Sequence, residues 1–376
     1  MTLPPGSTLG VFGGGQLGQM FAAAAQPLGY RVHVYCPEAD CPASQVAEEH
    51  TQADYHDFEQ IAQFAQAVDA VTLEFENVPV AAAEAAAHYV PVRPQGDALY
   101  TVQDRGREKG FLVAAGIATT PYTPVRTAKE LSTAIAELGA PAVLKTTKFG
   151  YDGKGQSIIR SADAALMAWS YLGQHKCVLE KFIDFRREIS VLVARDIHGD
   201  IETFGPIENA HANHILDVSV YPASSPDSAA DAAIEAARRV AIELDLVGIA
   251  CVEFFETASG EVMVNEIAPR PHNSGHLTIE ACSVSQFTQQ VLTVSGGAVA
   301  EMTAPRPAAM ANLLGDLWTK GEPNWDAVGQ FRGVELHRYG KATARPGRKM
   351  GHLTAVADTP AEAERLVRAA RAALVL

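Results

Sequence analysis

Apolar positions along the chain change period several times, and each change marks an element. The run TLGVFG leads into a glycine turn, then into QMFAAAAQPLG, which reads as a helix closed by Pro27 and Gly29, then into the apolar run RVHVYC. The alternation continues with FEQIAQFAQAV as a helix, AVTLEF as a strand, and an alanine-rich helix over residues 80–88. Alternating β and α elements of this length predict a parallel, doubly wound sheet, whose ligands sit beyond the carboxyl ends of its strands at the switch point. Residues 13–18 and 74–79 are expected to line that crevice.

From Gln103 the pattern differs. A short helix carries Arg105 and Lys109 at i, i+4, a second helix covers about 127–138, and the strand PAVLKT runs into the glycine-rich loop GYDGKGQ. The strand-like runs SIIR, CVLEKFI, EISVLVAR, ILDVSVY, GIACVEFF and EVMVNEI follow, interrupted by helices near 162–172 and 228–244. This predicts mixed α+β structure built from antiparallel hairpins. A tail from about 301 holds the short strands AAMANLL and VELHRYG and the helix PAEAERLVRAARAAL.

With 376 residues, 47% hydrophobic and 20% charged, the chain has enough apolar content for two or three globular domains. Its longest apolar runs, such as residues 246–251, stop short of the roughly 18 residues a membrane span needs, and the first basic residue is Arg31, so neither a span nor a signal peptide is expected. Five cysteines without a CxxC pair predict neither a disulfide framework nor a zinc site, but reduced thiols in a cytoplasmic protein. The formal charge of −14 opposes nucleic-acid and anionic-lipid partners, so any phosphate must be held by local cations. The charge is uneven: residues 1–100 set only Arg31 and Arg93 against 12 acidic residues, a step that suggests a domain boundary near residue 100.

Five motifs carry candidate chemistry. Gly13-Gly14-Gly15-Gln16-Leu17-Gly18 satisfies GxGxxG between a strand and a helix, a turn that lets backbone approach an anion. At the end of the second strand, where a dinucleotide fold holds a ribose with an acid, the chain has Cys36-Pro37-Glu38; a dinucleotide, another phosphate-bearing molecule and a ligand-free turn all remain open. Lys145 precedes the loop Gly150-Tyr151-Asp152-Gly153-Lys154-Gly155-Gln156, which either folds over polyphosphate or is a plain hairpin turn. Glu253 and Glu266 fall opposite each other if the hairpin turns at Ser259-Gly260, with Phe255 facing Val264 as the next pair on that face. Two carboxylates about 5 Å apart destabilise a sheet unless neutralised, and a magnesium ion would do so; a solvated acidic rung is the alternative. The run from Arg270 to His276 is a plausible anion pocket, whereas the spacing of His272 and His276 lacks a third zinc ligand nearby. Lys341, Arg345, Arg348 and Lys349 form either a solvated loop or a phosphate clamp.

Taken together, GGGQLG, EFENVP, QDR with Lys109, GYDGKGQ, EKFIDFRREISV, VNEIAPRPHNSGH and RPGRKMGH resemble the ATP-grasp superfamily, and within it the N5-carboxyaminoimidazole ribonucleotide synthetase family of purine biosynthesis, over nearly the whole chain. The resemblance implies a pre-grasp α/β domain over 1–103, an ATP-grasp domain over 104–300 with a mobile lid at about 121–184, and a small C-terminal α+β domain over 301–376. It implies ATP contacts from Arg105, Lys145, Gly150, Tyr151, Asp152, Gly153, Lys154, Gly155, Gln156, Glu188, His211, Asn265 and Glu266, with Glu180, Lys181, Phe182 and Ile183 as the adenine hinge and Glu188 on the ribose. Glu253 and Glu266 become the magnesium ligands. Arg270, His272 and Lys341 are expected around bicarbonate, and Gly15, Gln16, Leu17, Glu76, Asn77, Asn273, Lys341 and Arg348 around 5-aminoimidazole ribonucleotide. The implied reaction is ATP-driven carboxylation of that amine through carboxyphosphate, in a homodimer; another carboxylate–amine ligase, or a dinucleotide-binding oxidoreductase, is the alternative. Two departures stand out: KTTKFGYDG replaces the expected KTRTGGYDG, and Gly106 stands where the family usually has leucine.

Overall fold

The computed structural model of the chain describes residues 2–148, 154–303 and 305–375. The N-terminal strands β1 (Thr8–Phe12), β2 (Arg31–Cys36), β3 (Glu49–Gln52) and β4 (Ala70–Leu73) form a parallel sheet in the order β3–β2–β1–β4. β1 lies between β2 and β4, so the strand order reverses there and a crevice opens past the ends of β1 and β4. Helices cover both faces, which is why β1 and β4 read as unbroken apolar runs. At the mouth of the crevice Gly13 has φ +117°, and a Cβ there would lie 2.0 Å from Glu74 Cγ, so only glycine permits the turn to close on β4.

A second sheet is antiparallel, with β5 (Tyr122–Val125), β6 (Ala142–Thr146), β7 (Gln156–Ile159) and β8 (Cys177–Lys181) in the order β5–β8–β6–β7. The helix Ala128–Leu138 starts at a capping box, in which Thr127 and Glu130 satisfy each other's backbone N–H groups. It packs Leu131 and Ile135 onto Leu144 and Leu179 of the sheet, giving this unit its own core.

The largest sheet has eight antiparallel strands. They are β9 (Phe185–Arg195), β10 (Ile201–Ala212), β11 (Ile215–Tyr221), β12 (Gly248–Thr257), β13 (Val262–Ala268), β14 (Ala308–Leu314), β15 (Val334–Arg338) and β16 (Lys349–Val356), in the order β13–β12–β9–β10–β11–β14–β16–β15. The helix Asp227–Glu243 seats Ala233, Ala237 and Val240 against Val191, Val193 and Val252. The C-terminal strands extend this sheet through β11–β14 pairing, and the helix Pro360–Ala373 covers them.

Two features depart from the periodicity reading. β10 is a full strand that the alternation does not announce, because Gly205-Pro206 interrupts it; the ladder to β9 shifts register between Phe204 and Ile207, which absorbs the proline at an irregularity. In the β12–β13 hairpin Glu253 does face Glu266, but for a different reason from the one expected. Thr257 pairs with Glu261 across Ala258-Ser259-Gly260, which sets Phe254 against Val264 and Phe255 against Met263, so the expected Phe255–Val264 pair does not form. A bulge then leaves Asn265 without a counterpart and restores Glu253 opposite Glu266. Without that bulge Asn265 and Glu266 would point to opposite faces, whereas both line the same cleft.

Candidate functional site

A cleft of about 1030 Å³ runs between the second sheet and the large sheet and reaches the N-terminal crevice. Its deepest group is Glu180, which is 1% exposed at the end of β8. Three cations surround this carboxylate: Lys145 Nζ at 2.9 Å, Lys109 Nζ at 3.9 Å and Arg105 Nη1 at 3.9 Å. Burial opposes its ionisation, but Lys145, Lys109 and Arg105 outweigh burial and hold the carboxyl down at about 2. Lys109 is itself fully buried; it donates to Thr119 Oγ1, Thr120 Oγ1 and the Val264 carbonyl, and burial pushes its amine down to about 8.

The sequence around Arg105 explains its placement. Asp104 caps the helix Arg105–Ala114 by accepting from the N–H groups of Gly106 and Arg107, so Arg105 leaves the first turn towards the cleft. There its Nη2 donates to Glu266 Oε2 at 2.7 Å. Lys145, which points in from β6, also donates to Asn265 Oδ1 at 3.2 Å, a contact that depends on the bulge.

Further along, Glu253 Oε1 meets His272 Nε2 at 2.9 Å. The other ring nitrogen of His272 lies 2.8 Å from Ser274 Oγ, and Gln286 bonds both the N–H and the carbonyl of His272, which fixes the ring. Burial opposes protonation of His272, yet Cys251 and the Glu253 carboxylate raise it to about 10, while His272 in turn holds Glu253 down at about 2. The opposed carboxylates 253 and 266 are therefore neutralised by His272 and Arg105. Arg270 forms an ion pair with Glu76, joining the large sheet to the N-terminal crevice, and Gln103 steadies that loop by donating to the carbonyls of Glu76 and Val78. His211 and Glu188 pair at 2.7 Å across β9 and β10, an interaction that raises the imidazole above its ordinary value despite burial.

Most of the expected residues converge here. Arg105, Lys145, Lys154, Gly155, Gln156, Glu180, Lys181, Phe182, Ile183, Glu188, His211, Glu253, Asn265, Glu266, Arg270, His272, Glu76 and Asn77 all line the cleft. Gly150, Tyr151, Asp152 and Gly153 lie outside the described residues. The Glu180 side chain is turned into the cation cluster, and the N–H groups of Lys181 and Phe182 donate to the carbonyls of Pro121 and Pro141. Asn273 exchanges amide hydrogen bonds with Asn312 of β14 and is buried away from the cleft wall. At the crevice, Glu74 accepts from Gly15 N and Gly18 N at 2.7 and 3.0 Å, so its carboxylate occupies two of the turn's amides and leaves those of Gln16 and Leu17 to other partners. Lys341 donates to the Lys349 carbonyl and Arg348 to the Thr343 carbonyl; burial, with Arg348 beside it, brings the Lys341 amine down to about 8.

Several lining residues escape the motif reading. Glu208 and Asn209 sit on the unannounced β10, and Phe185 stacks on Phe255 with ring centroids 4.7 Å apart, giving the cleft an apolar wall near the 180–183 segment. Only the two-residue alternation of β9 and β12 hints at that pair.

Comparison with known proteins identifies the family. Residues 7–103 match a ribonucleotide synthetase preATP-grasp domain, residues 110–287 an ATP-grasp domain, and residues 308–366 a phosphoribosylaminoimidazole carboxylase C-terminal domain. The N5-carboxyaminoimidazole ribonucleotide synthase of Bacillus subtilis is 41% identical over 93% of this chain and 91% of its own. The chain belongs to the N5-carboxyaminoimidazole ribonucleotide synthase family. It also spans 37% of the longer bifunctional purine synthesis protein purC/E of Dictyostelium discoideum, at 42% identity. Among solved structures of the family, an ADP complex matches with a TM-score of 0.93 at 38% identity, covering 98% of this chain and 97% of the other. An Aspergillus clavatus synthase in complex with ADP and 5-aminoimidazole ribonucleotide matches at 0.88 and 28% identity, covering 98% and 99%.

Glu180→Gln leaves three buried cations short of their shared carboxylate, and unfolding free energy is expected to fall by about 3–5 kcal/mol, read from urea midpoints. The acid limb supplies the sign. Because folding lowers this carboxyl from 4.5 to about 2, its stabilisation is complete above 4.5 and is lost as pH falls from there through about 2. Wild type should therefore lose stability more steeply than the Gln variant across that window; parallel slopes would contradict the assignment.

Proposed function

We propose that this chain is an ATP-dependent ligase that carboxylates 5-aminoimidazole ribonucleotide to N5-carboxyaminoimidazole ribonucleotide in purine biosynthesis, with bicarbonate as the carbon source. The observation that carries the reading is one continuous cleft in which a cation cluster (Arg105, Lys145) lies at one end and Arg270 and His272 lie between it and the N-terminal crevice. A nucleotide at the first end and a ribonucleotide at the second would meet at Arg270 and His272. The apolar wall of Phe182, Phe185 and Phe255 beside the 180–183 segment supports an adenine there, with Glu188 and His211 near the ribose.

Bicarbonate resists attack by an amine because hydroxide is a poor leaving group. A bicarbonate oxygen attacks the γ-phosphorus, the bond to the β-phosphate oxygen breaks, and ADP leaves; the amine nitrogen then attacks the carbonyl carbon of carboxyphosphate, phosphate departs, and the amine loses a proton. Cations that face developing charge account for such catalysis without a covalent enzyme intermediate. Despite burial, Cys251 and Glu253 favour the protonated imidazole of His272, which would add a positive charge beside Arg270. Closure of the second sheet over the cleft would keep water from carboxyphosphate.

The donors facing the cleft from β12 and β13 are hard oxygens from Glu253, Asn265 and Glu266, a set that fits Mg²⁺. When bound, Mg²⁺ would supply positive charge against the phosphates of the nucleotide. Glu253 and Glu266 would hold it, each with one carboxylate oxygen that its contact with His272 or Arg105 leaves open. We further propose a homodimer, since closed two-fold pairs are the commonest assembly; a single sedimenting species near the 40.0 kDa of one chain would overturn it. Five free cysteines support a reducing, cytoplasmic setting. No helix among the described residues is long and apolar enough to cross a membrane.

The assay is ADP release with magnesium, bicarbonate and the ribonucleotide, each omitted in turn. Turnover should need all three, and turnover indifferent to the ribonucleotide points to a different amine. In the same assay Glu253→Gln and Glu266→Gln should raise the magnesium concentration needed for half-maximal rate and lower the maximum; a wild-type magnesium curve in both would remove them from the metal site.

Arg348, Lys341, Gln16 and Leu17 are not among the residues lining the cleft, whose lining includes Lys349, Glu76 and Asn77; Arg348 is assigned to the ribonucleotide phosphate together with Lys341 and the amides of Gln16 and Leu17. Arg348→Ala should weaken the ribonucleotide by roughly 1.5–3 kcal/mol, the range for a hydrogen bond to a charged group, and leave ATP unchanged. Titrating each substrate at saturation of the other checks this, and the opposite pattern would reverse the two ends.

A further inference from the structure

Cys36, Cys41 and His50 are given no part in the ligation chemistry, and their spacing does not announce a site. The fold nevertheless brings them together. Cys36 closes β2, Cys41 lies on the loop after it, and His50 stands on the neighbouring strand β3, paired with Val34. Cys36 Sγ is 3.2 Å from Cys41 Sγ and 3.3 Å from His50 Nε2, and donor atoms of all three lie within 4.8 Å of one another. Among the described residues no other group of three or more His, Cys, Asp or Glu side chains meets that criterion.

We propose that these three residues form a binding site for a thiophilic, zinc-class divalent cation, which clasps the loop after β2 against the glycine turn. Two sulfurs and an imidazole are the donors such ions prefer over the all-oxygen sets that suit magnesium. A tetrahedral ion with sulfur at about 2.3 Å and nitrogen at about 2.0–2.1 Å needs donors roughly 3.5–3.8 Å apart, so the two sulfurs, at 3.2 Å, must move apart by about half an ångström on binding, and Cys36 and His50, at 3.3 Å, by less. Both cysteines are buried while His50 is partly exposed, so solvent reaches the cluster from the His50 side and can fill the fourth position. Coordination takes both sulfurs as thiolates, and their protons pass to solvent.

The position of the cluster gives it a consequence. A Cβ at Gly14 would sit 2.4 Å from Cys41 Sγ and 2.5 Å from Cys36 Sγ, so the glycine turn rests directly on the two sulfurs. Ala43 N donates to the Gly14 carbonyl, and Gln45 Nε2 to the Gly340 carbonyl next to Lys341. The loop that carries Cys41 thus touches both the turn and the Lys341 segment. The effect on ribonucleotide binding rests on the function proposed above; uptake of the metal does not.

The test uses the full chain and Cd²⁺ as probe, followed by the ultraviolet thiolate-to-cadmium charge-transfer band, with Zn²⁺ competing. One equivalent per chain is expected, displaced by Zn²⁺. Cys41→Ser and Cys36→Ser should abolish the band, and His50→Ala should weaken binding tenfold or more. His50→Ala is also the safeguard, since its partly exposed side chain can be removed with less risk to folding than either buried cysteine. Wild-type melting temperature should rise with Zn²⁺, while the variants' should not. Equal uptake by wild type and His50→Ala, or no charge-transfer band in wild type, overturns the site. Wild type that takes up no metal but loses two thiols and 2 Da on mild peroxide treatment also overturns it, in favour of a disulfide pair. If metal binds as expected but the KM for 5-aminoimidazole ribonucleotide is unmoved, the site stands and its coupling to the crevice fails.

Discussion

The carboxylate of Glu180 is the group on which the cleft depends. Left alone at that depth it would not ionise; ringed by Lys145, Lys109 and Arg105 it does, and it makes burial of those three cations tolerable in return. The ring joins β6, β8 and the helix Arg105–Ala114, and through Lys145–Asn265 and Arg105–Glu266 it reaches β13. One buried charge therefore holds the second sheet, a helix and the large sheet in register with one another. It also concentrates three cations around Glu180, with Glu266 and the buried Glu108 as their other acidic neighbours, inside a chain whose formal charge is −14. A polyphosphate approaching this protein is opposed by the global field and must be held by local cations such as these.

Much of this was legible because chemistry-bearing residues sit in short, dense motifs, and some was not because register is set by single residues. The Glu253–Glu266 pair follows from assuming a turn at Ser259-Gly260. The turn in fact holds three residues, and the bulge at Asn265 makes up the difference. Nothing in VMVNEIA marks that bulge, since valine, asparagine and glutamate all occupy regular ladders, so the partner was foreseen and its neighbours were not. β10 was hidden by Gly205-Pro206, which punctuates a sequence as a loop does, yet here occupies a ladder irregularity; Glu208 and Asn209 were hidden with it. The inward turn of Glu180 was equally invisible, because three of its contacts come from residues 35 to 75 positions away in the chain. The proximity of Cys36 and His50 was invisible for the same reason: a parallel sheet brings residue 50 beside residue 36 through a crossover that no local pattern records.

The ion pairs along the cleft share a further property. Arg105–Glu266 and His272–Glu253 each join a cation suited to a phosphate or carboxylate substrate with a carboxylate suited to a metal. Without ligands these partners neutralise one another, which is how two glutamates can stand directly opposite on β12 and β13 without splaying the sheet. On the proposed reading, substrate anions take the cations and magnesium takes the carboxylates, so every charge keeps a partner. For the largely buried Arg105, His272 and Glu253 the desolvation cost is then met in both states, while Glu266, 40% exposed, stays in contact with water. On that reading the two ligands would be coupled, since each would take up groups that otherwise pair with the other's. Charge balance in the cleft thus favours joint occupation, the condition under which phosphoryl transfer to bicarbonate can begin.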